Sequence, residues 1–378
     1  MQIRSITAYP LRARLSRPFR FSQWIHEHRE ATLVAVETDD GMRGWGEAYG
    51  PASVVATAIS DFFAPLLARR DPLEQEALWH LMFARSLDYG QKGVMVAAIS
   101  AIDIALWDLK ARAAGVPLYR MLGGARVESI PGYATGFYFD DGDTRALARK
   151  FAAEAEEYCG RGFRAMKLKV GLGAGPDAEL VGAVRSAAGE GVRLMMDANH
   201  AYDAIGAIAL GRRVETLDIT WFEEPVSPLD LEGYVEVKRA LRIPIAGGEC
   251  EYTRFGFDAM LRRRAVDYAQ PDLCACGGIT EAVKIATLAS VAGVHVTPHV
   301  WGTAIGQAAA AHFYAARPAH PASLTPEDKL IECDQTENPL RSEIVREPVC
   351  VKEGRVVVPQ GPGLGVEIDE AVLARYKI

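Results

Sequence analysis

The stretch LMMDANH, residues 194–200, is the first of four short apolar runs in this chain that each close on an acidic residue. The acidic residues of the four runs lie 26, 26 and 23 residues apart, about the length of one β-strand with its returning helix and loops. Parallel strands repeated in this way close into a barrel, and residues at their carboxyl ends face one shared mouth. The four acidic residues are Asp197, Glu223 of TWFEEP, Glu249 of IPIAGGE and Asp272 of DYAQPD.

Three of these carboxylates, Asp197, Glu223 and Glu249, predict a divalent metal site. Carboxylates brought together repel one another unless a cation lies among them. Their oxygens are hard ligands, with no Cys or His among them, and suit Mg²⁺. In the alternative interpretation, each carboxylate pairs with an Arg or Lys of the barrel instead.

Two lysines precede the acidic residues in the segment MKLKV, residues 166–170. Residues i and i+2 of a strand share a face, so Lys167 and Lys169 are both expected to enter the barrel mouth. Two neighbouring cations lower each other's pKa, which would help one of them to act as a neutral base. The alternative is a solvated amphipathic strand, which the apolar residues between the lysines would also fit.

His299, in VTPHVWG, lies 27 residues beyond Asp272, which is one further strand and helix. Adjacent strand ends can place the carboxylate against a ring nitrogen, which fixes the tautomer and raises the basicity of the histidine. His299 is therefore a candidate second base, although a buried histidine can also be a core residue. Glu332 in LIECD would close the ring from an eighth strand, with Asp334 as a competing candidate.

The chain divides into two modules at about residue 125. Residues 1–125 are expected to form three antiparallel strands followed by helices at about 52–69, 74–86 and 93–114, which is an α+β module. Residues 126–344 alternate strands and helices, and residues 345–378 form a tail expected to pack back on the first module. The eight expected barrel strands are PGYATG, RAMKLKV, RLMMDAN, ITWFEE, IPIAGG, DYAQPD, VHVTPHV and LIECD. The Pro-rich segment 316–330 is expected to be a loop.

The composition and charge of the chain argue against several classes of function. The chain has 378 residues, 24% of them charged, and a formal net charge of −7, which argues against a nucleic-acid partner. Its beginning lacks the pattern of a signal peptide, and its longest apolar run, which Asp103 interrupts, is too short for a membrane span. The six cysteines indicate reduced thiols of a cytoplasmic protein, and Cys274 and Cys276 lack the spacing of a zinc site.

These motifs together resemble the enolase superfamily, mandelate racemase subgroup. The matching motifs are K-L-K, D-A-N, E-E-P, GGE, Q-P-D and T-P-H-V-W-G, with WGE near 45, ALWDLKA near 105 and GPGLG near 361. The resemblance covers nearly the whole chain. It implies an α+β capping domain on a modified TIM barrel of the (β/α)7β type.

The resemblance also implies roles for individual residues. Asp197, Glu223 and Glu249 would bind one Mg²⁺ per subunit. Lys169 would be the base on one face of the substrate, and His299, oriented by Asp272, would act on the other. Lys167 would hold the substrate carboxylate and tune Lys169. Glu332 could hydrogen-bond the reacting carboxylate, with a wall carboxylate or a salt-bridge partner as the alternative. Apart from the resemblance, Glu224 follows Glu223 and so points the other way along the strand, where it is expected to support the metal ligands from behind.

The implied reaction removes the proton α to a carboxylate through a Mg²⁺-stabilised enediolate. The polar, basic segment 16–28 would cap the barrel and favours a polyhydroxy acid, so we expect β-elimination from a sugar acid or its lactone, as in the acid-sugar enzymes of the subgroup. The expected substrate-binding residues are Asn199, Arg17, Arg20, Trp24, His26, Tyr133 and Trp301. The alternatives are a racemase or epimerase that uses the same two bases, and a non-catalytic binding barrel. The resemblance further implies a small anionic substrate and a homo-oligomer, either an octamer or a dimer, and the missing membrane span argues against a membrane partner.

Overall fold

The structure is a computed structural model that describes residues 1–125, 127–318, 320–324 and 329–378. Its first sheet has three antiparallel strands in the order β1, β2, β3, which is the predicted arrangement. The strands are β1 (Ile3–Arg20), β2 (Ile25–Thr38) and β3 (Arg43–Ala48). The helices that follow are α1 (Ala52–Thr57), a π-helical segment (Ala58–Phe63), α2 (Ala64–Leu67), α3 (Gln75–Ser86), α4 (Val94–Ala113) and α5 (Leu118–Met121).

The second module alternates eight strands with seven helices in the described residues, which confirms the predicted fold class. The strands are β4 (Ser129–Thr135), β5 (Ala165–Lys169), β6 (Arg193–Asp197), β7 (Ile219–Glu223), β8 (Ile245–Gly247), β9 (Tyr268–Ala269), β10 (His295–Val296) and β11 (Ile331–Asp334). The helices are α6 (Thr144–Gly160), α7 (Ala174–Ala188), α8 (Ala204–Val214), α9 (Leu231–Ala240), α10 (Thr253–Arg262), α11 (Gly278–Ala292) and α12 (Ala304–Ala315).

The strands form a parallel sheet that runs in chain order from β4 to β10, and β11 pairs with β4. Side-chain contacts join the seventh strand to the eighth: Thr297 Oγ1 donates to the Leu330 carbonyl at 2.8 Å, and the Val300 amide donates to Glu332 at 2.9 Å. Helix starts are set locally, because Asp143, Asp203 and Asp230 each accept a backbone N–H of the first turn. Because the strands are parallel and are arranged in a ring, their carboxyl ends surround one mouth.

The barrel interior is layered by the alternation of side chains along each strand. A lower layer of buried side chains fills the centre of the barrel. The next layer toward the mouth contains Lys167, Asp197 and Glu223, each two residues further along its strand. The apolar layer excludes water beneath the charged groups. Its members are Tyr133, Ala165, Met195, Trp221, Ala246 and Leu330.

The two modules are joined by a buried carboxylate of β3. Glu47 accepts hydrogen bonds from the Thr303 amide at 2.7 Å, from Thr303 Oγ1 at 2.6 Å and from the Gly306 amide at 2.6 Å, at the start of α12. Behind it, a Cβ at Gly46 would lie 1.9 Å from the carbonyl oxygen of Ala101 in α4, so only glycine permits this approach of strand and helix. The first sheet is thereby fixed against the mouth side of the barrel.

The carboxyl-terminal residues first extend the barrel sheet and then reach the first module. They form α13 (Pro339–Ser342), β12 (Val351–Lys352), β13 (Arg355–Val357) and α14 (Glu370–Tyr376). Strand β13 pairs antiparallel with the start of β4, and α14 contacts β1. The domain boundaries given above remain predictions.

Some sequence-based expectations fall partly outside the described residues. The predicted loop 316–330 includes residues 319 and 325–328, and the predicted module boundary adjoins residue 126, none of which the structure describes. All six cysteines are free. Within the described residues, no helix combines the length and apolarity needed to cross a membrane.

His312 of α12 should make the stability of the fold depend on pH. The Tyr119 amide donates to its Nδ1 at 3.3 Å, so its Nε2–H donates to the Leu364 carbonyl at 3.0 Å, and burial lowers its pKa to about 4. The unfolded histidine, with a pKa of about 6.5, binds a proton that the folded one does not. The stability that the neutral ring contributes is therefore complete above about pH 6.5 and is lost as the pH falls toward 4.

Between pH 7.5 and 5 this loss amounts to about 2 kcal/mol, which corresponds to a fall in Tm of about 2–3 °C for a chain of this length. When the pH is lowered from 7.5 to 5, we expect the Tm of the wild type to fall about 2–3 °C further than the Tm of His312→Gln. His80→Gln, at an exposed histidine, should behave as the wild type does. Equal falls for wild type and His312→Gln would disprove this role.

Candidate active site

The predicted metal carboxylates come together at the barrel mouth. Asp197 and Glu223 are the last residues of β6 and β7, and Glu249 follows β8 by two residues. One oxygen of each carboxylate lies within 4.8 Å of the others, and Asp197 and Glu223 are fully buried. Three carboxylates at this separation can hold a single cation.

Lys167 lies beneath these carboxylates and joins them to the eighth strand. Its Nζ is 2.5 Å from Glu223 Oε1, 2.9 Å from Glu332 Oε1 and 3.6 Å from Asp197 Oδ2. Although burial lowers the pKa of Lys167, the carboxylates of Glu223 and Glu332 raise it well above its usual range. Lys167 is therefore a fixed positive charge at the floor of the mouth.

Lys169 reaches the same mouth two residues further along β5. Its Nζ donates to Asp197 Oδ2 at 2.6 Å and to Asn199 Oδ1 at 2.8 Å. The expected lowering of its pKa is not observed: burial and Lys167 do lower the pKa, but Asp197, Tyr138 and Glu249 outweigh them and raise it. The neighbouring lysine favours a lower pKa, but the carboxylates around Lys169 have the larger effect, and a bound cation would offset their charge.

His299 and Asp272 form the predicted pair. His299 Nδ1 lies 2.6 Å from Asp272 Oδ2, and the backbones of the two residues are bridged. Burial lowers the pKa of His299, but Glu249 and the hydrogen bond to Asp272 raise it to about 10. The other ring nitrogen, Nε2, lies 3.6 Å from Glu249 Oε2 and so faces the metal carboxylates.

Asn199 links the two candidate bases through a metal carboxylate. Its Oδ1 accepts from Lys169, and its Nδ2 donates to Glu249 Oε1 at 3.3 Å. Since Glu249 is also next to His299, an unbroken series of contacts runs from Lys169 through Asn199 and Glu249 to His299. Both bases therefore adjoin the carboxylate cluster, from strands on different parts of the ring.

The eighth strand contributes Glu332 to this network. The Glu332 carboxylate is buried and accepts from Thr135 Oγ1 at 2.6 Å, in addition to its contacts with Lys167 and the Val300 amide. Asp334 instead pairs with Arg29 at 2.8 Å and with Arg341 at 3.1 Å. Glu332 is thus the carboxylate of this strand that contacts a candidate site lysine.

The segment 16–28 lies over the mouth, between the ends of β1 and β2. Ser22 Oγ donates to the Ala198 carbonyl at 2.8 Å, and Gln23 Nε2 donates to the Asn199 carbonyl at 2.9 Å. The Phe21 ring lies 5.8 Å from Lys169 Nζ. An aromatic side chain of this segment, rather than one of its charged groups, is therefore next to the lysine.

The basic residues of the segment have partners of their own. Arg17 pairs with Asp140 at 2.6 Å, with its side chain 75% exposed, and Arg20 pairs with Asp141 at 3.3 Å. Trp24 is 57% exposed. His26 packs between the rings of Phe21 and Trp301, with ring centroids 5.3 and 4.9 Å away.

The last two predicted substrate residues lie at different depths. The Tyr133 ring belongs to the buried layer under the mouth, 5.5 Å from Lys167 Nζ, and its hydroxyl has no hydrogen-bond partner among the residues that the structure describes. Trp301 lies at the rim, where its Nε1 donates to the Tyr138 hydroxyl at 3.1 Å and Arg29 stacks on its ring at 4.0 Å. Tyr133 is thus part of the floor, and Trp301 part of the wall below His26.

Sequence reasoning missed the residues that fix Glu223. Its Oε2 accepts from Gln270 Nε2 at 2.6 Å and from Trp221 Nε1 at 2.9 Å. The period of two along each strand could have found both, since Trp221 precedes Glu223 by two residues and Gln270 precedes Asp272 by two. Tyr138, whose ring lies 5.6 Å from Lys169 Nζ, had no such signal because it follows the end of β4.

The residues present fit a hard divalent cation. The donor set is three carboxylates, and hydrogen bonds from Gln270, Trp221 and Asn199 fix the orientation of Glu223 and Glu249. Oxygen ligands held by such supporting contacts are those that Mg²⁺ takes in proteins. Asp197, Glu223 and Glu249 are therefore the residues that would hold it.

Comparisons with known proteins match both modules. Residues 4–123 match the mandelate racemase / muconate lactonizing enzyme N-terminal domain, and residues 150–372 match the family described as Enolase C-terminal domain-like.

Three similar proteins match at least 92% of this chain. It is 41% identical over 378 residues to the D-galactarolactone cycloisomerase of Agrobacterium fabrum, with 100% of this chain and 99% of that protein covered. It is 35% identical over 351 residues to the arabinonate dehydratase of Saccharolobus solfataricus, covering 92% and 91%. The crystal structure of the 3,6-anhydro-D-galactonate cycloisomerase from Zobellia galactanivorans superimposes with a TM-score of 0.90 at 42% identity, with 100% of both chains covered.

Proposed function

Because this chain belongs to the mandelate racemase / muconate lactonizing enzyme family, within the enolase superfamily, we propose that it performs β-elimination on a sugar acid or its lactone. The reaction begins with removal of the proton α to the substrate carboxylate, which gives an enediolate. Expulsion of the β-oxygen then gives an enol, and its tautomerisation gives a 2-keto acid. The departing oxygen leaves as water from an open-chain acid, or as the carboxylate that a lactone ring ester releases.

One observation carries this proposal: two candidate bases adjoin a single cluster of carboxylates. Lys169 contacts Asp197 at 2.6 Å, and His299 contacts Glu249 at 3.6 Å. A proton can therefore be taken at one side of the cluster and delivered at the other. This is the arrangement that elimination needs, because the α-proton and the β-oxygen leave from different atoms.

Each residue of the network has a part in this reaction. Lys169 Nζ, once neutral, accepts the α-proton, and His299 Nε2 donates a proton to the departing oxygen, with Asp272 holding the ring at Nδ1. Lys167, a fixed cation beneath the carboxylates, attracts the substrate carboxylate. A Mg²⁺ held by Asp197, Glu223 and Glu249 would supply Lewis-acid stabilisation of the charge that develops on that carboxylate.

The test is incubation with Mg²⁺ and a library of acid sugars and their lactones, read by a 2-keto-acid assay. We expect at least one compound to yield a 2-keto acid, and heat-denatured protein to yield none. A product of unchanged composition and inverted α-configuration would instead identify the racemase or epimerase alternative. If no compound is converted or exchanges its α-proton, the binding-barrel alternative would replace the proposal.

Residues of the covering segment should set substrate choice and leave the chemical step intact. Joint replacement of Arg17, Arg20 and His26 by Ala should mainly raise KM, by about tenfold, because these residues lie on a segment over the mouth and not among the bases. Steady-state kinetics on the substrate found in the library would measure this. A triple variant with unchanged KM and a kcat lowered more than about tenfold would contradict this division of labour.

A further inference from the structure

A second group of potential metal ligands lies beside the carboxylate cluster. His200, Glu224 and Cys250 each offer one ligand atom, and these three atoms lie within 4.8 Å of one another. Glu224 and Cys250 directly follow Glu223 and Glu249, and His200 follows Asp197 by three residues. The second group therefore lies on the segments that directly follow the first carboxylates.

Glu224 provides an independent sign that this group binds a cation. Its side chain is 0% exposed, and among the described residues its carboxylate oxygens have no hydrogen-bond partner apart from the Cys250 thiol of the same group. A buried carboxylate whose one hydrogen-bond donor is a thiol is costly, because it has lost its hydration and gained only a weak contact in return. A cation between Glu224, His200 and Cys250 would supply the missing interaction.

The backbone aims these side chains away from the first cluster. Asn199, His200 and Glu224 have positive φ values of 42°, 54° and 40°, which L-residues adopt at a cost. The His200 amide donates to the Glu224 carbonyl at 2.8 Å and so ties the two turns together. The turns direct Glu223 toward the substrate side and Glu224 toward His200 and Cys250.

We propose that His200, Glu224 and Cys250 form a second metal site that takes Zn²⁺ or a divalent cation of similar softness. Imidazole, thiolate and carboxylate together suit zinc, whereas Mg²⁺ takes oxygen ligands. Three protein ligands leave a fourth, tetrahedral position for water. Bound there, the metal ties together the loops after β6, β7 and β8 and offsets the charge of Glu224 behind the carboxylates of the first site.

Cobalt(II) provides the most direct test, because the first site contains no sulfur. The full-length metal-free protein is supplied with a large excess of Mg²⁺ and titrated with Co²⁺ while the near-ultraviolet absorption of thiolate–Co²⁺ charge transfer is followed. The same protein is then equilibrated with Zn²⁺, and its metal content is measured after gel filtration. The variants are Cys250→Ser and Glu224→Gln, with Cys350→Ser, at an exposed free thiol, as the matched control.

The proposal predicts a charge-transfer band and one retained Zn²⁺ per chain for wild type and Cys350→Ser. Cys250→Ser should lose the band, and both Cys250→Ser and Glu224→Gln should bind Zn²⁺ at least about tenfold more weakly, a loss of about 1.4 kcal/mol. Absence of the band in the wild type would overturn the proposal. Because this result needs only the wild-type protein, it holds even if a variant fails to fold. A band that persists in Cys250→Ser, or unchanged Zn²⁺ affinity in Glu224→Gln, would also overturn it.

Discussion

Removal of divalent cations should lower kcat by at least about 10⁴-fold, a loss of about 5.4 kcal/mol of transition-state stabilisation, and added Mg²⁺ should restore it. The reason is the charge that develops on the substrate carboxylate when its α-proton leaves. Lys167 and Lys169 alone cannot replace the cation, since each is already paired with the carboxylates of the cluster. The measurement is turnover after EDTA treatment and gel filtration, with and without Mg²⁺.

Two variants separate the metal site from other effects of lost charge. Glu249→Gln should reproduce the effect of chelation. Glu251→Gln, two residues along and paired with Lys92 at 2.6 Å, removes a nearby carboxylate that is outside the cluster and should cost less than about tenfold, or about 1.4 kcal/mol. Full turnover by metal-free protein would refute the assignment of Asp197, Glu223 and Glu249 as the catalytic metal ligands.

Loss of either base should lower turnover by about 10²–10⁴-fold, which corresponds to about 2.7–5.4 kcal/mol of barrier. Lys169→Ala removes the group that accepts the α-proton, and His299→Asn removes the group that protonates the departing oxygen. Lys169 contacts the carboxylate cluster at Asp197 and His299 contacts it at Glu249, so each residue is next to the expected position of the substrate.

Matched controls exist on the same barrel. Lys238→Ala removes a lysine paired with Asp267 at 2.8 Å on α9, and His295→Asn removes a histidine of β10, four residues before His299. Each control should keep turnover within about tenfold of wild type, or about 1.4 kcal/mol of barrier. Similar losses in Lys238→Ala and Lys169→Ala would mean that the effect comes from destabilised packing.

The arrangement of the barrel followed from the sequence because it rests on period and spacing. Asp197, Glu223 and Glu249 recur at one strand–helix interval, and Lys167 and Lys169 share a face by the period of two in a strand. Both patterns follow from the regular geometry of strands and of strand–helix units, so they can be predicted from the sequence alone. All eight predicted strands have a counterpart in the structure, although β9 and β10 are only two residues long, and the three carboxylates meet within 4.8 Å.

Other properties depend on contacts between residues distant in sequence, which spacing does not give. The pKa of Lys169 is raised by Asp197, a residue of the next strand, although its neighbour Lys167 favoured the opposite shift. Arg17 pairs with Asp140, more than a hundred residues away, and no spacing in the sequence indicates that contact. Glu224 was expected to support the metal site, and only the turn geometry shows it facing His200 and Cys250.

The central claim is that Lys169 and His299 act as separate bases on one substrate, and solvent-deuterium exchange of the α-proton tests it most directly. The measurement is proton NMR in D₂O on each variant. With a substrate whose α-proton faces Lys169, Lys169→Ala should stop both turnover and exchange, whereas His299→Asn should spare exchange and block elimination. With a substrate of opposite α-configuration, the results for the two variants should be reversed. If neither substitution slows exchange by more than about tenfold, or about 1.4 kcal/mol of barrier, neither residue is the base and the account is contradicted.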